Sequence, residues 1–193
     1  PASMLVDMAS SYDSDMEMLT ATGPGKIEIN NANSPARQND SAADMSLGGP
    51  CYAWIENFDF LEWSTSSNRV VADAASESMI MQYVPLVDGK PGKALYAVAS
   101  RIEADFMQTF DGRTQLAMLT AKDGITFNEE EGNAFEGDRL YYTANSSILQ
   151  INGTKDELCK VNGMPTEKIR YNLKTRELVT TIAGTGIFST DDE

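Results

Sequence analysis

The sequence contains no histidine among its 193 residues. Without an imidazole, Ser-His-Asp and Cys-His relays, histidine metal sites and histidine proton shuttles cannot form. The commonest hydrolase arrangements are therefore excluded. A pair of carboxylates could still support catalysis, as in glycosidases, but no two acidic residues stand out from the rest. We predict a protein that is not an enzyme and needs no cofactor or metal.

Cationic side chains are scarce as well. Fifteen Lys and Arg stand against 29 Asp and Glu, which gives a formal net charge of −14. Such a charge repels nucleic acid and anionic membrane surfaces, so no nucleic-acid partner is expected. The densest acidic runs, at 129–131 and 191–193, are predicted to be solvated surface.

Cysteine is limited to Cys51 and Cys159, and no CxxC motif is present. The two could form a disulfide in an oxidising compartment or remain buried thiols, and the sequence leaves both open. No apolar run reaches the ~18 residues of a membrane-spanning helix. The first residues resemble neither a signal peptide nor a charged leader, which indicates a processed or trimmed piece and leaves a longer parent protein open.

Helix signals are nearly absent, and alternation of apolar and polar residues dominates instead. Ile169 and Tyr171 point to one side of a predicted strand, a turn follows at 174–176, and Leu178 continues the pattern. Residues 140–153 show the same pattern of strand, polar turn and strand. An all-β fold is therefore predicted. Residues 31–50, rich in Asn, Ser, Ala, Asp and Gly, are predicted to form an exposed loop, either a functional lid or a plain insertion.

A strand-turn-strand unit recurs along the chain. In it an aromatic residue is followed seven positions later by an aliphatic one, with a polar turn between them: Tyr12 and Leu19, Trp63 and Val70, Tyr142 and Leu149, and Tyr171 and Leu178. A looser copy runs from Phe110 to Leu116 and Leu119, and "MLTA" stands at both 18–21 and 118–121. Self-similarity at this spacing predicts a stacked architecture.

A single two-stranded ribbon cannot bury its apolar face alone. Stacked ribbons with a second sheet folded over them would enclose a continuous apolar trough and would end in exposed strand edges.

Two segments, "GNAFEGDRLYYTANSSILQINGT" and "EKIRYNLKTRELVTTIAGTG", resemble the OstA-like repeat of the lipopolysaccharide transport proteins LptA, LptC and the periplasmic part of LptD. The resemblance is strongest over 133–188, fainter over 97–127 and 4–30, and absent over 31–95. The matching positions are Gly137, Asp138, Leu140, Tyr142, Leu149, Ile151, Gly153, Ile169, Tyr171, Leu178 and Gly184.

The resemblance implies one elongated, open β-jelly roll of two twisted antiparallel sheets spanning 1–193, located in the periplasm of a Gram-negative cell envelope. It implies binding of lipopolysaccharide or another acylated lipid in outer-membrane biogenesis, and sheet-edge association with itself or with other β-jelly-roll proteins. The residues expected to line the lipid path are Ile125, Phe127, Leu140, Tyr142, Leu149, Ile151, Ile169, Tyr171 and Leu178.

Two further expectations accompany this reading. An acidic protein would repel lipid phosphates, so head-group contacts would fall to local cations such as Arg101, Arg113, Arg139, Lys168 and Arg170, unless only acyl chains are bound. Alternatively, the inward side chains fill the interior completely, and the repeat builds a structural or adhesive spacer.

Overall fold

A computed structural model describes the backbone of residues 3–13, 17–33, 49–75, 78–108, 110 and 114–181, and the side chains of these except 3–12 and 114. Within them every regular element is a strand and every pairing is antiparallel. The predicted all-β jelly-roll fold is therefore confirmed, with the two predicted sheets present as two layers of one continuous sheet. The strands are β1 (Ser3–Asp13), β2 (Met18–Asn30), β3 (Cys51–Ser64), β4 (Arg69–Asp73), β5 (Met79–Val87), β6 (Lys90–Pro91), β7 (Leu95–Ala99), β8 (Arg101–Gln108), β9 (Thr114–Glu129), β10 (Ala134–Thr143), β11 (Ile148–Asn152), β12 (Cys159–Val161), β13 (Met164–Thr166), β14 (Lys168–Asn172) and β15 (Leu178–Thr181).

The strands form a single sheet folded into two facing layers. The front layer has the order β1-β2-β3-β4-β8-β9-β10-β11-β14-β15. The back layer continues the same long strands past a bend, in the order β1-β2-β3-β5-β7-β9-β10-β12-β13. The strands β1, β2, β3, β9 and β10 thus belong to both layers, and the chain meanders across the fold from one end to the other.

The bend between the layers lies at irregular backbone positions, as is usual where strands pass from one sheet to another. Register shifts occur between Asp7 and Ala9 in β1 and between Gly137 and Arg139 in β10. In β9 the bend falls at two consecutive residues with positive φ, Asp123 at 65° and Gly124 at 80°.

Two glycines of the repeat motif have a steric role at this bend. A Cβ on Gly137 would come within 2.4 Å of the Ile151 side chain, and one on Gly153 within 2.2 Å of the Glu157 carbonyl oxygen. Neither distance is tolerable for a real side chain. The motif therefore needs glycine where adjacent strands cross the bend at close range.

The predicted turns lie where the sequence places them. The loops at 65–68 and 144–147 each join two strands and end in a residue with positive φ, Asn68 at 51° and Ser147 at 52°. Most of the predicted exposed loop at 31–50 lies outside the described residues. Its first residue, Asn31, is buried, and its backbone N–H donates to the Cys51 carbonyl at 2.9 Å.

The hydrophobic core occupies the space between the layers. Phe135 of the back layer and Tyr171 of the front layer are in contact there, with ring centroids 5.1 Å apart. The inward positions alternate with outward polar ones along each strand, as in any sheet with one buried face. What fills this space decides whether the protein can hold a ligand.

Candidate functional site

The aromatic-aliphatic pairs of the repeat lie in one row that crosses the whole front layer. In all four copies the two residues are direct cross-strand partners. Directly opposed residues project from the same face of a sheet, so the row runs along the inner face. From β2 to β15 it reads Leu19, Trp63, Val70, Ala104, Leu119, Tyr142, Leu149, Tyr171 and Leu178.

The row has an exception on β8, where Ala104 stands at the position that holds an aromatic residue in the other hairpins. The looser repeat copy was wrongly assigned to Phe110, which lies in the turn and is fully exposed. The aromatic that faces Leu116 is Phe106, two residues beyond Ala104 on the same strand. The β8–β9 hairpin therefore places its aromatic ring farther from the bend and leaves an alanine in the row.

Alanine is also frequent in the neighbouring inner row, which runs closer to the bend. There Ala21, Ala72 and Ala121 alternate with Leu61, Ile102 and Leu140. Beyond Leu140 the row has no alanine, and Ile151 and Ile169 follow. Because an inward methyl group fills far less space than an isoleucine or a tyrosine, the β2–β9 half of the interior is underfilled.

A cavity of about 370 Å³ lies between the layers in this underfilled half. Its apolar lining from the front layer includes Leu61, Trp63, Val70, Ile102, Ala104, Phe106 and Leu119, and that from the back layer includes Ile27, Ile29, Ile55, Met81, Tyr83, Leu95 and Ala97. Several of these, such as Trp63, Ile29 and Tyr83, are only half-buried. Inward apolar side chains with this much exposure mean that the cavity opens to solvent as a trough between the two layers.

The other half of the interior, under β10–β14, is filled. Tyr142, Ile151, Ile169 and Tyr171 are each at most 1% exposed. Phe127 stacks on Phe135, with ring centroids 6.1 Å apart, and Phe135 packs in turn on Tyr171. This aromatic stack spans the space from the back layer to the front layer.

A polar network of Tyr171, Glu129 and Arg176 lies beside the aromatic stack. The Tyr171 hydroxyl donates to a Glu129 carboxylate oxygen at 2.9 Å, and the Arg176 guanidinium pairs with the other oxygen. The Glu129 side chain is only 4% exposed, so the expectation that the whole 129–131 run is solvated is wrong at its first position. Burial and the hydrogen bond to Glu129 raise the pKa of the Tyr171 hydroxyl, which therefore stays protonated as a donor.

The residues predicted to line a lipid path divide between the two halves. Ile125, Phe127, Leu140 and Leu149 line the trough. Tyr142, Ile151, Ile169 and Tyr171 are fully buried in the filled half, and Leu178 packs half-buried against the core. Lipid contact by any of these nine residues stays a prediction.

Sequence reasoning missed most of the trough lining, which comes from β2, β3, β5, β7 and β8. Two signals were available. Trp63 belongs to a recognised repeat pair, and Ile27 and Ile29 follow the first "MLTA" segment as Ile125 and Phe127 follow the second. The segment 51–87, however, does not follow the repeat motif closely, so its strands β3 to β5 could not be placed against the others from sequence.

Two of the five cations proposed for a head group, Arg101 and Arg139, lie in ion pairs on outer surfaces. Arg101 binds Asp73 at 2.7 Å and Glu103 at 3.1 Å, and Lys122 approaches the same Glu103 at 3.4 Å. Arg139 lies 3.4 Å from Asp138, and Arg113 lies outside the described residues. Lys168 and Arg170 alternate with the inward Ile169 and so face outward. The described trough lining contains none of these five cations.

Both cysteines are buried free thiols, which settles the alternative left open by the sequence. Burial raises the pKa of Cys51 to about 11 and also raises that of Cys159. Thiols held in their neutral form are poor nucleophiles and poor metal ligands. Neither cysteine is therefore a candidate reactive group.

Within the part of the chain that the structure describes, no group of three or more His, Cys, Asp or Glu side chains is placed to hold a metal ion. The described residues also include no helix long and apolar enough to cross a membrane. The trough is thus the principal feature of this part of the chain that could receive a ligand.

Comparison with known proteins gives a likeness in structure but none in sequence. No protein-family model matches this chain, and no curated protein sequence does. Among solved structures, the chain is similar to the crystal structure of LptH, described as the LptA homologous periplasmic component of the conserved lipopolysaccharide transport device from Pseudomonas aeruginosa. The match covers 94% of this chain and 96% of LptH, with 10% sequence identity and a TM-score of 0.47. A likeness at this level carries no functional information.

Proposed function

We propose that this chain is a non-enzymatic binding module for acylated lipids, which holds an acyl chain between its two layers. The observation that supports it is the half-open trough of about 370 Å³, whose described lining is almost wholly apolar. Apolar sites of about 300–1,000 Å³ with few polar groups are typical of small-molecule binding. A water-exposed apolar surface in this position is costly to a protein that does not use it.

The proposed ligand is lipopolysaccharide or another acylated lipid, bound through its hydrocarbon and not through its phosphates. The OstA-like repeat motif supports lipopolysaccharide, and a periplasmic location belongs to the same proposal. The net charge of −14 and the paired outer cations argue against a strong contribution from an anionic head group. Burial of each methylene would contribute about 0.8 kcal/mol, which is enough for useful affinity from the chain alone.

We further propose that the partners of this module bind at its sheet edges. Among the described residues, β1 pairs with β2 only, and β15 pairs with β14 only. An unpaired edge offers backbone donors and acceptors to a further strand. A second copy of this chain, or another β-jelly-roll protein, could extend the sheet at either edge.

The binding proposal can be tested by fluorescence, because both tryptophans, Trp54 and Trp63, line the trough. Trp54→Phe keeps an aromatic ring at its position and leaves Trp63 as the single reporter. Titration with purified lipopolysaccharide, and separately with a lysophospholipid, should shift the Trp63 emission to shorter wavelength and saturate. A flat titration with both, together with no co-purified lipid by mass spectrometry, would rule out the proposal.

The filled half supports a second candidate, a structural or adhesive module whose repeat builds a spacer. Its specific support is the tight packing under β10–β14, where the large inward side chains of Tyr142, Ile151, Ile169 and Tyr171 are at most 1% exposed. The two candidates differ in the trough alone. If replacing trough residues changes no binding to any lipid, the spacer becomes the better account.

A further inference from the structure

The boundary between the open and the filled halves of the interior is built from interacting side chains. An aromatic stack bridges the two layers at this boundary and consists of Phe127, Phe135 and Tyr171. Tyr171 and Phe135 are at most 1% exposed. A hydrocarbon chain could pass this point only if these rings left their places.

The aromatic stack is held by the polar network at its outer margin. Tyr171 cannot swing aside without losing its hydrogen bond to Glu129. Glu129 in turn would lose a donor while remaining buried, and an unsatisfied buried carboxylate is costly. Arg176, from the segment that connects β14 to β15, completes the network. Opening this end would thus break the Tyr171–Glu129 hydrogen bond and leave one buried oxygen of Glu129 without its donor.

We propose that the trough is blind at this end: the Phe127–Phe135–Tyr171 stack, fixed by Glu129 and Arg176, stops a bound acyl chain before it reaches β14. This inference rests on the proposed lipid-binding function and defines which ligands the site accepts. A chain enters sideways between the layers, past Trp63 and Phe106 on one side and Tyr83 on the other. It does not thread along the fold from the β15 edge.

The volume of the trough and its closed end together limit which ligands it can bind. A volume of about 370 Å³ lies near the lower limit of small-molecule sites. A trough of this volume has room for one acyl chain, and the stack at Tyr171 limits how far that chain can extend. The head group and any further chains of the lipid remain outside the layers, where the head group stays in water.

The closed end can be tested by site-specific photo-cross-linking in the full chain. The photoreactive residue p-benzoylphenylalanine is placed at position 106, in the open trough, or at position 178, beyond the stack. Leu178 is half-buried on the terminal strand β15, faces inward beside Tyr171 and should tolerate substitution. Position 179, where Val179 is exposed and faces outward, serves as the matched control. The probe is a lysophosphatidylcholine with one radiolabelled palmitoyl chain.

We expect strong cross-linking at position 106, and cross-linking at position 178 that does not exceed the level at 179. Equal labelling at 106 and 178 would overturn the closed end while leaving the lipid-binding function intact. No labelling at any position, with a flat Trp63 titration by the same lipid, would overturn both. Should position 178 not tolerate the residue, position 180 repeats the test, since Thr180 continues the inner row from Ile169.

Discussion

The substitution Ala104→Phe should greatly weaken lipid binding without unfolding the protein. In the β8–β9 hairpin, Ala104 stands where the other hairpins of the inner row have an aromatic residue. Its cross-strand partners are Val70 and Leu119. A phenylalanine there would restore the repeat pattern and project its ring into the trough. The perturbation therefore acts on the trough volume and leaves the strand pairing unchanged.

The expected magnitudes follow from what the ring displaces. If it excludes about four methylenes of a bound acyl chain, at ~0.8 kcal/mol each, binding weakens by about 3 kcal/mol, or more than 100-fold in Kd. Burial of the ring contributes about 1.5–3 kcal/mol to folding, against ~1–3 kcal/mol for any overpacking. Because the ring enters an existing cavity, we expect unfolding stability to change by no more than about 1–2 kcal/mol, or a few degrees in Tm.

The assay combines the Trp63 fluorescence titration, in the Trp54→Phe background, with thermal unfolding. Thr120→Phe is the matched control, since it adds the same ring one residue from Leu119 on the outward side of β9, where Thr120 faces Glu103 and Tyr141. The control should bind as the parent does. If Ala104→Phe also binds with the parent's affinity while remaining folded, the trough is not the binding site and the reasoning fails.

Three further predictions concern the closed end, the bend and the thiols. Arg176→Ala leaves the Glu129 carboxylate buried with one partner fewer. Urea denaturation should show that the free energy of unfolding falls by about 2 kcal/mol, a modest loss because Arg176 is itself half-exposed. An unchanged midpoint would mean that the ion pair does not stabilise this end. Gly137→Ala forces its Cβ against Ile151, and the same assay should report a loss of ~1–3 kcal/mol. Burial raises the pKa of Cys51 to about 11, so iodoacetamide at about pH 8 should label this thiol only in denaturant. The stability that this neutral thiol provides is complete below the unfolded pKa of ~8.5 and falls as pH rises towards 11; rapid labelling of Cys51 in the native protein would contradict its burial.

Residue patterns predicted the front layer in some detail, because its repeat unit is local. The spacing of seven between Tyr142 and Leu149 fixes a hairpin with the two residues opposed, and the structure places them so. The same holds for Trp63 and Val70. Such pairs depend only on alternation and on a short polar turn.

The back layer and the closed end could not be predicted in the same way, because they depend on contacts between distant segments. Glu129 and Arg176 are 47 positions apart, and nothing in the acidic run at 129–131 marks its first residue as buried. The bend that brings them together consists of register shifts and left-handed residues such as Asp123. Neither feature has a strong sequence signature outside Asp-Gly pairs.

The open trough arises from departures from the repeat and not from the repeat itself. Where the hairpin keeps its aromatic residue and large neighbours, as at Tyr142 and Tyr171, the interior is filled. Where alanine stands in the inner rows, as at Ala104 and Ala121, space remains between the layers. Since the strand pairing is the same in both halves, the size of a few inward side chains decides whether the space between the layers is filled or stays open. This chain combines a filled half with an open trough.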